Sequence, residues 1–372
     1  MSAVLELTRE LLRTETINPP GAESRAADLV GGRLETAGFE VRRHPLAPGR
    51  DSLVARWTGT ERRPALCLTA HLDTAPLGQA EWTRAPLAGE LDGDRLYGRG
   101  ASDMKGGLAA IVTAAERVAA LGRGEAGLEV VLCAGEETGC EGARQLAGSG
   151  ALGEAGAVLV AEPTSNYPCV AHKGVVWLEA RTSGRSAHGS MPQLGDNAIY
   201  KLARAVVALE GFRFDGPEHA LLGSPTLSVG TAAGGANINS VPDSAAAGID
   251  VRTVPGLEGV EVEERLGELL GPEVRLARAL DLSPVATDPG DAWVEEVFEV
   301  MAPLIGERPE PRGLAYFTDA AALTPAYAGP PTTICGPGDA EQAHQTDESC
   351  SVELLDAATE GIFEIARRWC GL

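Results

Sequence analysis

Three short apolar runs constrain this chain more than anything else in it: residues 65–70, 128–133 and 157–161. A strand with one wet face alternates apolar and polar residues. A near-continuous apolar run of about four to eight residues instead marks a strand buried on both faces, as in a helix-covered parallel sheet. All three runs end alike. The first continues into His71-Leu72-Asp73, the second into Gly135-Glu136-Glu137-Thr138-Gly139, and the third into Glu162-Pro163-Thr164. Ligand chemistry in α/β sheets collects beyond the carboxyl ends of strands. Strand ends that repeatedly deliver His, Asp and Glu supply the donors that hard and borderline cations need.

The local chemistry of each motif can be read further. His71 and Asp73 are two apart and share a face of an extended strand, so Asp73 can hold the orientation of a metal-bound imidazole. The plainer alternative is a satisfied core histidine. Adjacent carboxylates face opposite sides of an ideal strand. Glu136 and Glu137 can therefore share a site only where the strand turns into a loop, which the flanking glycines provide, and the alternative is a solvated acidic turn. Asp103 sits in the glycine-dense Gly98-Arg99-Gly100-Ala101-Ser102-Asp103-Met104-Lys105-Gly106-Gly107, just before an alanine-rich helical run over 108–121. Glycines admit positive φ and close packing, and one carboxylate can give an oxygen to each of two cations about 3.5–4 Å apart. The alternative is Asp103 as a helix N-cap.

The remaining pattern organises the chain. Residues 4–12 and 26–37 have helical spacing, interrupted by Asn18-Pro19-Pro20-Gly21, and 40–46 and 52–57 read as strands. From Lys173 the character changes. Strands over 175–182, 226–231, 245–251 and 274–280 with helices over 197–209 and 260–270 predict an inserted domain at 176–285, an antiparallel sheet with helices on one face. It carries Ser186-Ala187-His188-Gly189-Ser190-Met191-Pro192, the asparagines Asn237 and Asn239, and Asp250-Val251-Arg252. A helix over 292–304, a strand near 332–335, Ala343-His344 and a closing helix over 352–369 return to the α/β pattern. With 372 residues, two domains are expected, 1–175 with 286–372 and 176–285.

Composition excludes several classes. The formal charge is 31 minus 53, or −22, with no Lys/Arg cluster to follow a phosphate backbone, so neither nucleic acid nor an anionic membrane is an expected partner. No apolar run approaches about 18 residues and no cleavable leader is evident, which predicts a cytoplasmic protein. Seven cysteines without a CxxC pair fit thiols in a reducing compartment. Cys140 has a nucleophile's setting beside Gly139, but its acidic neighbours would raise its pKa.

Five ordered motifs, His71-Leu72-Asp73, Gly98 to Gly107, Glu136-Glu137, Glu162-Pro163-Thr164 and Ala343-His344, resemble the dinuclear zinc-dependent deacylases and exopeptidases. That family includes acetylornithine deacetylase, succinyl-diaminopimelate desuccinylase, aminoacylase and glutamate carboxypeptidase. The resemblance covers essentially the whole chain. It implies a zinc-exopeptidase-like α/β catalytic domain with a central, mostly parallel sheet and an inserted ferredoxin-like α+β lid and dimerisation domain. It makes His71 and Glu162 ligands of one Zn²⁺, Glu137 and His344 ligands of the other, and Asp103 their bridge, with Co²⁺ able to substitute. Asp73 would orient His71, and Glu136 would be the general base for a water held between the ions. His188 from a partner's lid and Asn239, with Asn237 as competitor, would steady the oxyanion, while Arg252 would bind a substrate carboxylate. The C-terminal run from Gly336 to Gln345 looks most like the acetylornithine deacetylase branch. Tyr316-Phe317-Thr318-Asp319 departs from it, with Asp where that branch often carries Glu, and Thr318 is a further substrate-facing candidate. The implied reaction is hydrolysis of the amide of an N-acyl amino acid or short peptide by a homodimer. A metallo-dipeptidase or carboxypeptidase and a non-catalytic metal-dependent binding protein are the alternatives.

Overall fold

The computed structural model describes residues 2–60, 62–216 and 218–372. The chain divides into two compact units, Met1–Ala171 with Ala286–Arg312 and Thr318–Leu372, and His172–Val285 with Gly313–Phe317. The strip Gly313–Phe317 lies outside the 176–285 boundary expected from sequence and clusters with the second unit.

The first unit opens with helices α1 (Ala3–Arg13) and α2 (Ser24–Thr36), followed by strands β1 (Glu40–Ala47), β2 (Arg50–Trp57) and β3 (Ala65–His71). Helix α3 (Gly106–Ala120), β4 (Leu128–Cys133), α4 (Glu141–Ser149) and β5 (Ala155–Val160) complete this first passage. The chain then builds the second unit from β6 (Gly174–Ser183), α5 (Ala198–Gly211), β7 (Thr226–Gly234), β8 (Ser244–Thr253), α6 (Gly259–Leu270) and β9 (Val274–Leu282). It returns to the first unit as α7 (Ala292–Ile305), α8 (Ala320–Ala326), β10 (Thr332–Ile334) and α9 (Val352–Trp369).

The first sheet has the order β1-β2-β4-β3-β5-β10. β4, β3, β5 and β10 run parallel, while β1 and β2 join antiparallel at one edge. The three apolar runs are therefore its middle. Leu66, Leu68, Val130, Leu132, Val158 and Leu159 are fully buried, each contributing about 1.5–3 kcal/mol relative to exposure. Helices α1, α2, α3 and α9 pack together as one layer, and α4 packs with α8 as another. Because β3, β4, β5 and β10 are parallel, their carboxyl ends lie along one rim. That rim receives His71, Glu136, Glu137, Glu162 and the approach to His344.

The second unit's sheet has the order β7-β8-β6-β9 and is antiparallel throughout. Alternation sorts its faces. Val176, Leu178, Ala180, Ile249 and Val251 pack with Leu209 of α5 and with Val262 and Leu266 of α6. Trp177, Asp250 and Arg252 occupy the intervening positions and so face the other way.

Candidate metal centre

The site is built outward from the end of β3. His71, the last residue of that strand, is 1% exposed, and its Nδ1 lies 3.0 Å from the Asp73 carbonyl and 3.4 Å from Asp73 Oδ1. A carbonyl only accepts, so Nδ1 carries the proton and Nε2 is directed at the neighbouring carboxylates. Asp73 ties several elements to this point. Its Oδ1 accepts from the Glu136 amide at 3.1 Å, and its Oδ2 accepts from the Glu137 amide at 3.2 Å and from Asn18 Nδ2 at 2.9 Å.

Asp103 occupies the strap before α3. The helix takes Lys105 as its N-cap residue, so Asp103 is not its cap. Two glycines make the strap possible. Gly100 has φ 88°, and a Cβ there would lie 2.5 Å from Thr74 Cγ2; a Cβ on Gly107 would lie 2.0 Å from the Ala161 carbonyl oxygen. The second contact seats the start of α3 against the residue that precedes Glu162.

Asp103 Oδ1 lies 3.0 Å from His71 Nε2, and Asp103 Oδ2 lies 3.5 Å from His344 Nε2. His344 Nε2 is also 3.0 Å from Glu137 Oε2. Among the described residues, ligand atoms of His71, Asp103 and Glu162 lie within 4.8 Å of one another, as do those of Asp103, Glu137 and His344. One carboxylate thus belongs to both groups, with one oxygen turned to each.

The electrostatics fit divalent cations. Burial raises the Glu162 carboxyl well above its ordinary value, and the Asp103 charge raises it further. Glu137 is raised by burial as well, against the His344 imidazole, and its Oε1 is buried without a hydrogen-bond partner. Burial also works to raise Asp103, but His344 and His71 outweigh it and hold that carboxyl low. Asp103 and Glu137 in turn raise His344 to about 10. Carboxylates crowded beyond the positive charge available, one with an unpartnered oxygen, are a donor set for cations. Glu136 belongs to neither group. It is 8% exposed, and burial raises its carboxyl well above the ordinary range.

The other sequence candidates are distributed as follows. In the second unit, Ala187–His188 pairs antiparallel with Ser240–Val241, and the Gly189 amide donates to the Asn239 carbonyl at 2.7 Å. One ribbon thus brings His188 and Asn239 together. His188 Nδ1 accepts from the Ser190 amide at 3.2 Å and lies 2.7 Å from Ser190 Oγ, so in the neutral ring Nε2 carries the proton and presents a donor. Arg252 is gripped at Nε and Nη2 by Asp250, at 2.8 and 3.0 Å. Trp177 Nε1 donates to the same carboxylate at 2.9 Å, and the guanidinium stands 5.2 Å over Phe317. Thr318 is fully buried, and its hydroxyl accepts from the Ala320 amide at 3.1 Å at the start of α8. The cysteines are all buried and unpaired, and burial, Asp319 and Glu136 raise the Cys140 thiol far from thiolate.

Four supporting residues were not anticipated from sequence: Asn18, Arg99, Glu348 and Asp319. Asp319 is 2% exposed, neither of its oxygens has a hydrogen-bond partner, and burial pushes its carboxyl up to about 6. Arg99 lies inside the glycine-dense motif and Asp319 in the run 316–319, but nothing in either pattern assigns them a supporting role; Asn18 carried only the turn signal of its Pro-Pro-Gly break, and no spacing marks Glu348.

No helix among the described residues is long and apolar enough to cross a membrane. Among solved structures, the chain matches an M20 family metallo-carboxypeptidase from Sulfolobus solfataricus at TM-score 0.84, with 19% identity over all of both chains. It also matches a tripeptidase from Staphylococcus aureus at TM-score 0.78, with 20% identity over 100% of this chain and 98% of that one. Curated relatives include acetylornithine deacetylases from Myxococcus xanthus, 34% identical over 92% of each chain, and from Edwardsiella ictaluri, 30% identical over 100% of this chain and 98% of that one. The sequence pattern of peptidase family M20/M25/M40 matches residues 67–368.

Proposed function

The chain belongs to peptidase family M20/M25/M40, and on that premise we propose that it is a metal-dependent hydrolase of the amide bond in N-acyl amino acids, of the acetylornithine deacetylase kind. The observation that carries this reading is Asp103, one carboxylate shared between two groups of metal donors. His71 and Glu162 would hold one ion, Glu137 and His344 the other, and Asp103 both; we assign them as Zn²⁺, with Co²⁺ as a substitute. Two such ions supply polarisation of the scissile carbonyl and a water of lowered pKa.

The chain's own residues do the rest. Asp73 keeps the proton on His71 Nδ1 and fixes the ring. Glu136, buried and with a raised carboxyl, takes the proton of the attacking water and hands it to the leaving amine nitrogen. His188, with its proton on Nε2, and Asn239 are assigned as donors to the developing oxyanion of a partner subunit. Arg252, squared by Asp250, is assigned to a substrate carboxylate through the guanidinium edge that Asp250 leaves open.

A homodimer through the second unit is supported by its free edge. β7 ends the sheet with one paired side, and next to it α5 exposes Tyr200 at 67% and Val207 at 68%. We place the enzyme in the cytoplasm.

The test is a hydrolysis panel with the Zn²⁺- or Co²⁺-loaded chain: N-acetylornithine, N-succinyl-diaminopimelate, other N-acyl amino acids and dipeptides. Turnover concentrated on N-acyl amino acids supports the proposal. Turnover of dipeptides alone replaces it with a metallo-dipeptidase or carboxypeptidase. Two bound ions and no turnover of any substrate would indicate a metal-dependent binding protein.

A further inference from the structure

Glu348 lies four residues beyond His344 in an acidic loop and is fully buried. Both of its carboxylate oxygens are doubly engaged. Oε2 accepts from Arg99 Nη1 at 2.7 Å and from the Gly100 amide at 2.9 Å; Oε1 accepts from the Ser102 amide at 2.8 Å and from the Asp103 amide at 3.0 Å. Arg99 is itself 1% exposed, and its Nη2 donates to the Pro76 carbonyl at 3.0 Å and the His344 carbonyl at 3.3 Å.

We propose that Glu348 is the positioning residue that sets the two metal positions relative to one another, holding the Asp103 strap by its amides and the His344 backbone through Arg99. This rests on the metal-ligand reading given above. The physical grounds are the following. A strap with Gly100 at φ 88° has its amides turned inward, and without a partner they would leave buried donors unsatisfied. A neutral acceptor could meet one or two of these donors. Only a carboxylate offers enough lone pairs for three amides and a guanidinium together. His344 adopts φ 62°, a conformation a side-chain-bearing residue keeps only when its surroundings impose it, and the Arg99 contact to its carbonyl is one such constraint. The pair therefore links the residue shared by both donor groups to the last ligand in the chain. It touches no reacting atom itself.

The test uses the full-length apo chain, titrated with Co²⁺ alone and followed by calorimetry and by the visible cobalt bands. Glu348→Gln keeps the size of the side chain but turns an NH₂ towards two amide donors. Both cobalt steps should weaken, by about 10–100-fold each, the range typical for residues that orient metal ligands. Arg99→Lys keeps the charge opposite Glu348 but loses the reach to the Pro76 and His344 carbonyls, so it should weaken the cobalt step on the His344 side and spare the other. It also carries the test should Glu348→Gln not fold. Tyr327→Phe removes a hydroxyl bonded to Glu129 well away from the rim. It serves as a stability control, expected to lower the apo melting temperature without moving either cobalt step. If Glu348→Gln and Arg99→Lys both bind two ions as tightly as wild type, or if Tyr327→Phe weakens cobalt equally, the inference is overturned. A wild-type chain that binds no cobalt overturns the metal reading, and this inference with it.

Discussion

In the first unit Glu348 accepts four hydrogen bonds and Asp73 three besides its contacts with His71, all from donors at 2.7–3.2 Å. In the second, His188 leans on Ser190 alone at an exposed ribbon, and Arg252 on Asp250 over a half-buried aromatic pair. Buried charge must be fully satisfied or it destabilises the fold. A donor that meets charge only when it forms can rest at the surface. Damage to the first unit's two donor groups should therefore register as lost metal, and damage to the second unit as lost rate with metal intact.

The largest expected effect is Asp103→Ala. It should remove both ions and all measurable turnover, whereas His71→Ala should remove one; metal analysis after dialysis distinguishes them. Equal loss of a single ion in both variants would show that Asp103 is not shared.

Glu136→Gln tests the same unit from the opposite side, since it removes a proton carrier and no donor. Two ions per chain should remain while turnover falls by about 10²–10⁴-fold. Loss of an ion would exchange the roles of Glu136 and Glu137.

For the second unit, His188→Ala should lower kcat by about 10²-fold with unchanged metal content. Mixing it with Glu136→Gln under subunit exchange should return activity, because some mixed dimers hold one site with both residues intact. Confirmed exchange without recovered activity, or an active monomer on sedimentation, would end the shared-site idea.

The smallest effect concerns His172, the second unit's one deeply buried imidazole, whose Nε2 has no partner and which burial pushes down to about 4. The unfolded chain binds this proton at the ordinary 6.5, so stability is fully present above 6.5 and declines as pH falls towards 4. The shift is worth ~3 kcal/mol. His172→Phe should flatten the denaturation midpoint between those pH values, and an unaltered slope would assign the acid sensitivity to other groups.

Much of this architecture was legible in the chain. Near-continuous apolarity at 65–70, 128–133 and 157–161 announced the buried strands, and spacing of two placed His71 beside Asp73 at a strand end. The helices at Glu141–Ser149 and Ala320–Ala326 were not legible, being short and, in the second case, ending through Pro325. Glu348 escaped for a different reason. In Gln345-Thr346-Asp347-Glu348 it reads as a solvated loop acid, and its burial comes from amides about 250 positions earlier in the chain. Spacing likewise gives no measure of the hydrogen bond that the Thr318 hydroxyl accepts from the Ala320 amide. The strip 313–317 was assigned by continuity, which a chain that crosses between units does not respect.

That crossing has a consequence for how the protein is made. The ribosome delivers residues 1–171, which hold five of the sheet's six strands, three of its four parallel strands and both antiparallel edge strands, then must synthesise 114 residues of the second unit before the first resumes at Ala286. Throughout that interval β5 lacks its β10 neighbour and the strap at Asp103 lacks Glu348. At ordinary elongation speeds of about 5–20 residues per second the second unit alone takes about 6–23 seconds, and throughout it the nascent chain carries an open strand edge and an unclosed acidic rim. Chaperone dependence and sensitivity to translation pauses should thus concentrate between positions 171 and 334, the window that closes when the last parallel strand arrives.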